Sequence, residues 1–369
     1  MRIAIVANTS WYLYNFRRNL MRALRADGHE VLAIGAPDDY ASRLTAEGFA
    51  YASVPFSGAG INPWRELQTV AALTALLRRW RADLALTYTP KGNIYAGLAT
   101  RTLGIPFIPN VSGLGRAFIK PSPLTALVRA LYRVALGGAP VVFFQNHEDR
   151  DTFVRARLVD AGRAVRIPGS GVDLDHFQPP IREEPGPFRF LMVARLLWDK
   201  GVGEYVAAAR RVRRQADARF ALLGFTGVDN PSAVPRVELE SWIAEGVIEY
   251  LGASDDVRPH LAQAHCVVLP SSYREGVPRS LLEAAAMARP IITTDAPGCR
   301  DTVQDGVSGL LCRARDIDDL EEKMLRMLRL PAEERRAMGM RGRAMVEREF
   351  DERRVIETYR TAIARIDCR

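Results

Sequence analysis

Short β-branched runs alternate with amphipathic stretches along nearly the whole chain, and the alternation breaks once, near the middle. IAIVA (3–7), EVLAIGA (30–36), DLALTY (83–88), FIPNV (107–111) and VVFFQN (141–146) read as strands. Helical patterns lie between them, among them NFRRNLMRALRADG, ending at Gly28, and TVAALTALLRRWRA (69–82). Strands that alternate with helices lie parallel and are covered on both faces, so the chain is read as α/β, with Rossmann-like, doubly wound parallel sheets. Near residues 178–188 the run QPPIREEPGP interrupts the pattern with prolines and charges, as an interdomain linker does. The alternation then restarts with RFLMVAR (189–195), ARFALLGF (218–225), VIEYLG (247–252), CVVLPSS (266–272) and PIITTD (290–295). FDERRVIETYRTAIARI (350–366) adds an amphipathic helix after the second set. A chain of 369 residues accommodates two such domains. They are expected at 1–180 and 181–349, with 350–369 as a terminal helix. Ligands of these sheets bind beyond the carboxyl ends of the strands, and two domains facing each other frame a cleft.

Composition narrows the setting. No stretch approaches the ~18 uncharged apolar residues of a spanning helix. MRIAIVANTS begins a strand at its second residue and lacks the basic region and cleavage site of a signal peptide. Cys266, Cys299, Cys312 and Cys368 are far apart, with no CxxC pair, which fits reduced thiols in a cytoplasmic protein and argues against a zinc site. The net charge of +8 is unevenly placed: residues 1–180 hold 21 Lys+Arg against 13 Asp+Glu, and the remainder holds 30 against 30. The surplus fits a solvated basic face or an anionic membrane surface. Nucleic acid is disfavoured, because no zinc-finger, RNP-like or helix-turn-helix signature accompanies the charge.

Two segments carry chemistry. In EGVPRSLLEAAAMARP (275–290) a strand exit leads through Glu275, Gly276 and Val277 to Pro278, which suits a first helical position. The helix is expected to run to Pro290. The amides of Gly276 and Val277 then lie at a helix N-terminus, a favoured place for an anionic diphosphate. Glu275 stands at the mouth, where a carboxylate accepts hydrogen bonds from sugar hydroxyls, and Glu283 lies eight residues on, able to hold a ribose diol. The bland alternative is a loop charge and a helix carboxylate helped by the dipole. In VARLLWDKG (193–201), Arg195 and Lys200 bracket the loop after the first strand of the second half. Two cations at a strand's carboxyl end suit a diphosphate, and a lysine can neutralise a departing phosphate.

With these residues the chain resembles the family-4 glycosyltransferases of GT-B fold. The resemblance is carried by Arg195, Lys200, the Glu275-x7-Glu283 spacing, FQNHEDRDTF (144–153) and GSGVDLDHF (169–177), and it extends over essentially the whole chain. YTPKGNIYAGLA (88–99), NVSGLG (110–115) and the segment 273–303 are similar to the bacterial subgroup acting on undecaprenyl-diphosphate-linked sugars. The resemblance implies retaining, metal-independent transfer of a sugar from a UDP-sugar to a lipid-linked saccharide, with no resident cofactor. It implies Arg195 and Lys200 on the diphosphate, Glu275 on the donor hexose, Glu283 on the ribose, and a terminal helix that crosses back to the first domain. No covalent catalyst is then needed: the acceptor hydroxyl attacks from the face the diphosphate leaves. Two features depart from the family pattern. NTSWYLYNF (8–16) stands where many members have a Gly-Gly loop, and Ser112 stands where many carry a histidine. A 2-epimerase of sugar nucleotides shares the architecture and is the rival reading. A dehydrogenase is disfavoured because the first βα turn lacks GxGxxG.

A lipid-linked acceptor favours the membrane reading of the basic surplus. FRRNLMRALR (16–25) and RAFIKPSPLTALVRALYRVALGG (116–138), with Lys120, Arg129 and Arg133, are the expected membrane-facing segments, on the inner face of the cytoplasmic membrane. A core-facing helix with solvated arginines is the alternative for each.

Overall fold

The computed structural model describes residues 1–56, 62–114, 123–181, 186–228 and 230–367. It divides into two compact units: residues 1–170 with 354–369, and residues 171–353.

In the first unit, elements follow in the order β1 (Arg2–Thr9), α1 (Ser10–Ala26), β2 (Glu30–Ala36), α2 (Asp39–Ala46), β3 (Ala50–Ser53), α3 (Pro63–Trp80) and β4 (Leu84–Tyr88). After these come α4 (Pro90–Leu103), β5 (Phe107–Val111), α5 (Pro123–Leu136), β6 (Val142–Phe144), α6 (His147–Arg155) and β7 (Ala164–Arg166). The seven-stranded sheet has the order β3-β2-β1-β4-β5-β6-β7, every pair parallel. The central strands are buried on both faces, which is why IAIVA, DLALTY and FIPNV are almost wholly apolar. The chain order reverses between β1 and β4, so the carboxyl ends of these two strands form the sheet's switch point.

Helix α1 starts earlier than its sequence pattern suggests. Thr9 caps it by accepting from the Tyr12 amide at 3.2 Å, and the Asp38 carboxylate accepts from the Trp11 amide at 2.9 Å. NTSWYLYNF is therefore a strand end and a capped helix start, with no loop in the place of the family's glycines. The buried stripe of α1 is Leu13, Arg17, Leu20, Met21 and Leu24, the spacing of one helix face. This corrects the expectation that residues 16–25 offer an apolar face to a membrane: those side chains are in the core. Arg17 lies there with them, 1% exposed, its guanidinium 4.1 Å from the centre of the Tyr88 ring and its Nη2 donating to the Tyr12 hydroxyl at 3.0 Å. The aromatic faces hold a cation the core would otherwise exclude.

The second unit contains β8 (Phe188–Val193), α7 (Val202–Arg213), β9 (Ala218–Leu223), α8 (Arg236–Ala244), β10 (Glu249–Tyr250) and α9 (Arg258–Gln263). It continues with β11 (Cys266–Leu269), α10 (Arg279–Ala286), β12 (Ile291–Thr294), β13 (Gly309–Cys312), α11 (Ile317–Arg329) and α12 (Ala332–Glu349). Its six-stranded parallel sheet has the order β10-β9-β8-β11-β12-β13, with the switch point between β8 and β11. Strands β3, β7 and β13 are not among those read from the sequence. They lie at sheet edges, where short strands need little apolar patterning.

The last helix, α13 (Glu352–Asp367), contributes Val355, Tyr359 and Ile363 to the core of the first unit. The Tyr359 ring meets Phe143 edge-on at 4.9 Å, and its hydroxyl accepts from Asn110 Nδ2 at 2.9 Å. The boundaries at 170/171 and 353/354 differ from the expected 180/181 and 349/350. Val172, Leu174 and Phe177 pack in the core of the second unit, ahead of the proline-rich break. Residues 182–185 of that break, and Cys368, lie outside the described residues. Among the described residues no helix is long and apolar enough to cross a membrane.

Candidate functional site

The two segments singled out in the sequence leave adjacent strands on either side of the second switch point. β8 exits into Ala194–Gly201 through a tight 3-10 turn at Trp198–Lys200, and β11 exits into residues 270–278. Strand pairing thus delivers residues 75 positions apart to one place. Lys200 Nζ lies 2.5 Å from Glu275 Oε1, with side chains only 14% and 11% exposed. The Ser271 hydroxyl donates to the same oxygen at 2.9 Å. The carbonyl of Asp199 accepts from the Ser272 amide at 3.0 Å and ties the two loops together.

Gly201 explains how the loops come so close. Its φ is +82°, and a Cβ there would stand 2.1 Å from the Pro270 carbonyl oxygen. On the far side, Gly298 has φ +81°, and a Cβ would stand 2.0 Å from the carbonyl oxygen of Gly276. Neither contact is with a side chain that can turn away. Gly201→Ala is expected to shift the Lys200 loop and to lower the melting temperature by several degrees. Scanning calorimetry checks this; a variant that melts as the parent does would show that the close approach is dispensable.

Glu283 is held by Arg279 one turn earlier, Nε to Oε1 at 2.9 Å, and burial pushes its carboxyl above the usual range against the opposing pull of that arginine. Arg195 is exposed, and its guanidinium makes no hydrogen bond or ion pair among the described residues, while its carbonyl accepts from the Leu197 amide at 2.8 Å. The helical part of 275–290 is shorter than expected. Pro278 is the cap, α10 begins at Arg279 and ends at Ala286, and Ala288 has φ +54° ahead of Pro290. The first amides of the helix are therefore those from Arg279 on. Gly276 and Val277 precede the cap, and the Val277 side chain belongs to the core. Lys200, Glu275, Gly276 and Val277 are brought together, while Arg279 and Glu283 form a second ion pair on α10.

Ser271 and Cys299 were missed in the sequence. Cys299 is fully buried, its thiol pushed up to about 12 by burial first and by the Glu275 charge next. A serine just past a strand exit was a usable signal for Ser271. Nothing in the local sequence marks Cys299.

The first unit has its own polar assembly at its switch point. Thr89, after β4, is a β-branched residue at φ +65°, a strained conformation that folds usually reserve for functional loops. Lys91 Nζ lies 2.7 Å from Glu66, whose other oxygen accepts from the Tyr95 hydroxyl at 2.6 Å. Behind them Asn93 Nδ2 donates to the Asn110 carbonyl at 2.9 Å. Ser112 follows β5, half-buried.

Residues 15–169 match the family described as "Glycosyl transferase 4-like domain", and residues 187–329 match "Glycosyl transferases group 1". The chain is 29% identical to N,N'-diacetylbacillosaminyl-diphospho-undecaprenol alpha-1,3-N-acetylgalactosaminyltransferase of Campylobacter jejuni, over 97% of each chain. It is 24% identical to UDP-Gal:alpha-D-GlcNAc-diphosphoundecaprenol alpha-1,3-galactosyltransferase of Escherichia coli, over 74% of this chain and 73% of that one. Among solved structures, HepE of Anabaena in complex with UDP-glucose superposes with a TM-score of 0.79 at 16% identity, covering 99% of both chains. A glycosyltransferase of Rickettsia africae does so with a TM-score of 0.79 at 17% identity, over 99% of this chain and 97% of the other. At these identities the structures speak for the fold alone.

Proposed function

This chain belongs to the family-4 glycosyltransferases, and from that premise we propose that it transfers a hexose or N-acetylhexosamine from a UDP-sugar to an undecaprenyl-diphosphate-linked saccharide, with retention. The observation that carries the reading is the Lys200–Glu275 pair at the switch point of the second sheet. It sits in a chain that aligns end to end with a Campylobacter enzyme named for such a transfer. The second unit is the nucleotide-sugar domain and the first unit receives the acceptor.

In this reading Lys200 and Arg195 meet the charge that grows on the departing diphosphate, which is the largest barrier term a protein can lower by fixed charge. The amides of Gly276 and Val277, ahead of the Pro278 cap, are assigned to the same diphosphate. Glu275 accepts from hydroxyls of the donor sugar, and Glu283 accepts from the ribose diol once Arg279 shares it. None of these groups needs to form a bond to the sugar; they hold the donor in a reactive pose. The acceptor hydroxyl then attacks from the face that the diphosphate leaves. Because cationic side chains meet the phosphate charge, turnover is expected to persist in EDTA.

The decisive experiment incubates the protein with UDP-glucose, UDP-galactose and their N-acetylamino counterparts, with and without an undecaprenyl-diphosphate-linked sugar. UDP release is expected from one donor, at a rate that rises by orders of magnitude with the acceptor. A donor converted to its epimer without acceptor would replace this reading with an epimerase.

Membrane docking of the first unit belongs to the same proposal and rests on α5. Leu124, Leu127 and Val134 are 41–51% exposed there, alongside exposed Arg129 and Arg133. Lys120 lies outside the described residues. Arg129→Glu is expected to weaken binding to anionic liposomes roughly fivefold or more, and added salt to weaken the parent in the same direction. Binding that responds to neither leaves the positive charge as a solvated surface.

A further inference from the structure

We infer that Ser271 is a positioning residue for Glu275: its hydroxyl keeps the carboxylate in place when Lys200 turns to the donor diphosphate. The inference rests on the donor reading above and concerns how one site serves two arrangements. Lys200 and Glu275 neutralise each other at 2.5 Å, each nearly buried. A diphosphate carries more charge than a carboxylate, and the lysine is a compact charge on a flexible stem, free to follow it. A mostly buried carboxylate that loses its cation is costly and prone to turn away from its place.

Ser271 is built to prevent that. It is fully buried and cannot follow the lysine. The Tyr273 amide donates to its Oγ at 3.2 Å, and Thr294 Oγ1 donates to its carbonyl at 2.5 Å. Its hydroxyl reaches the very oxygen that Lys200 holds, at 2.9 Å. A second acceptor lies within reach of the same Oγ, the Asp199 carbonyl at 3.3 Å. A hydroxyl has one proton to give. While Lys200 holds Glu275, that proton is divided between the two acceptors; once the lysine leaves, it goes to the carboxylate. Ser271 therefore acts on the sugar half of the donor through Glu275, and not on the nucleotide half.

The test is titration calorimetry of the full chain with UDP and with the same four UDP-sugars, on the parent, Ser271→Ala, Ser271→Thr and Glu275→Gln. Ser271→Ala is expected to bind UDP within about twofold of the parent and to bind the preferred UDP-sugar about tenfold more weakly, the scale of one hydrogen bond to a charged group. Its KM for the donor rises correspondingly, and Ser271→Thr, which keeps the hydroxyl, restores most of the loss. Glu275→Gln is expected to bind UDP severalfold more tightly than the parent, because Lys200 is released, while losing the preference for the sugar nucleotide. Equal weakening of UDP and UDP-sugar in Ser271→Ala, or no change in either, overturns the inference. So does Glu275→Gln binding UDP no better than the parent, a readout that stands even where Ser271→Ala fails to fold. A parent that binds neither UDP nor any of the four sugars removes the donor reading itself, a result separate from these.

Discussion

Lys200→Ala is expected to lower turnover by about 10²–10³, the usual loss when one preorganised charge at a reaction centre is removed. It is also expected to lower stability, because Glu275 then keeps its charge at 11% exposure without its 2.5 Å partner. Breaking a buried pair from one side costs up to about 3–5 kcal/mol, and the remaining solvent access of both groups places this case below that range. The two losses separate in a double variant. Lys200→Met with Glu275→Gln restores the melting temperature, since no unpaired charge remains, yet stays as inactive as the single change. Arg195→Ala provides the contrast: its side chain is exposed and unpartnered among the described residues. It is expected to reduce turnover with a stability change within roughly 0.5 kcal/mol, as for surface positions. Steady-state UDP release and thermal melts on the four proteins decide the matter. Near-parental turnover in both Lys200→Ala and Arg195→Ala would sink the assignment of these cations to the diphosphate.

Deleting residues 354–369 is expected to unfold the first unit. The deletion strips Val355, Tyr359 and Ile363 from a core where they are 0–3% exposed. Each such side chain contributes about 1.5–3 kcal/mol by burial alone. Together they approach the whole stability of a typical domain, ~5–15 kcal/mol. The loss has a polar part as well, because Asn110 Nδ2 donates to the Tyr359 hydroxyl inside that core. Tyr359→Ala isolates the central contribution and is expected to cost about 3–5 kcal/mol, whereas Tyr359→Phe removes the hydroxyl alone and costs about 1 kcal/mol. Guanidinium unfolding monitored by tryptophan fluorescence checks the series. A truncated chain with the parental midpoint would show that the last helix is dispensable to the core.

The fold was legible where burial is strongest. IAIVA, DLALTY and CVVLP lie in the middle of their sheets, covered on both faces, and such strands can be little other than apolar. AYAS and AVR sit at edges and pair along one side, so their residues carry no comparable pattern. The unit boundary misled for a related reason. Prolines and charges mark where chain meets solvent, but Val172, Leu174 and Phe177 had already joined the second core before that run begins. Within the candidate site, the placing of Lys200 and Glu275 past strand carboxyl ends was legible because each closely follows an apolar strand. Their direct pairing was not, since it depends on β8 and β11 being neighbours, a fact of sheet order that local sequence does not carry. Arg17 was read as part of a basic surface because arginines are rarely buried. The rings of Tyr12 and Tyr88, the latter brought in from a strand far along the chain, and the Tyr12 hydroxyl make its burial tolerable.

The first unit is assembled from two pieces of chain, and this orders events during synthesis. The second unit, residues 171–353, is contiguous and has all its parts once residue 353 has left the ribosome. The first unit emerges earlier but still lacks Val355, Tyr359 and Ile363, which follow about 180 residues later. At ~5–20 residues per second that delay is on the order of 10–40 seconds. For that time part of an apolar sheet face is without its covering helix, a natural target for chaperones. Of the two units, the one whose synthesis starts first is thus the one that closes later, and α13 sets when it does.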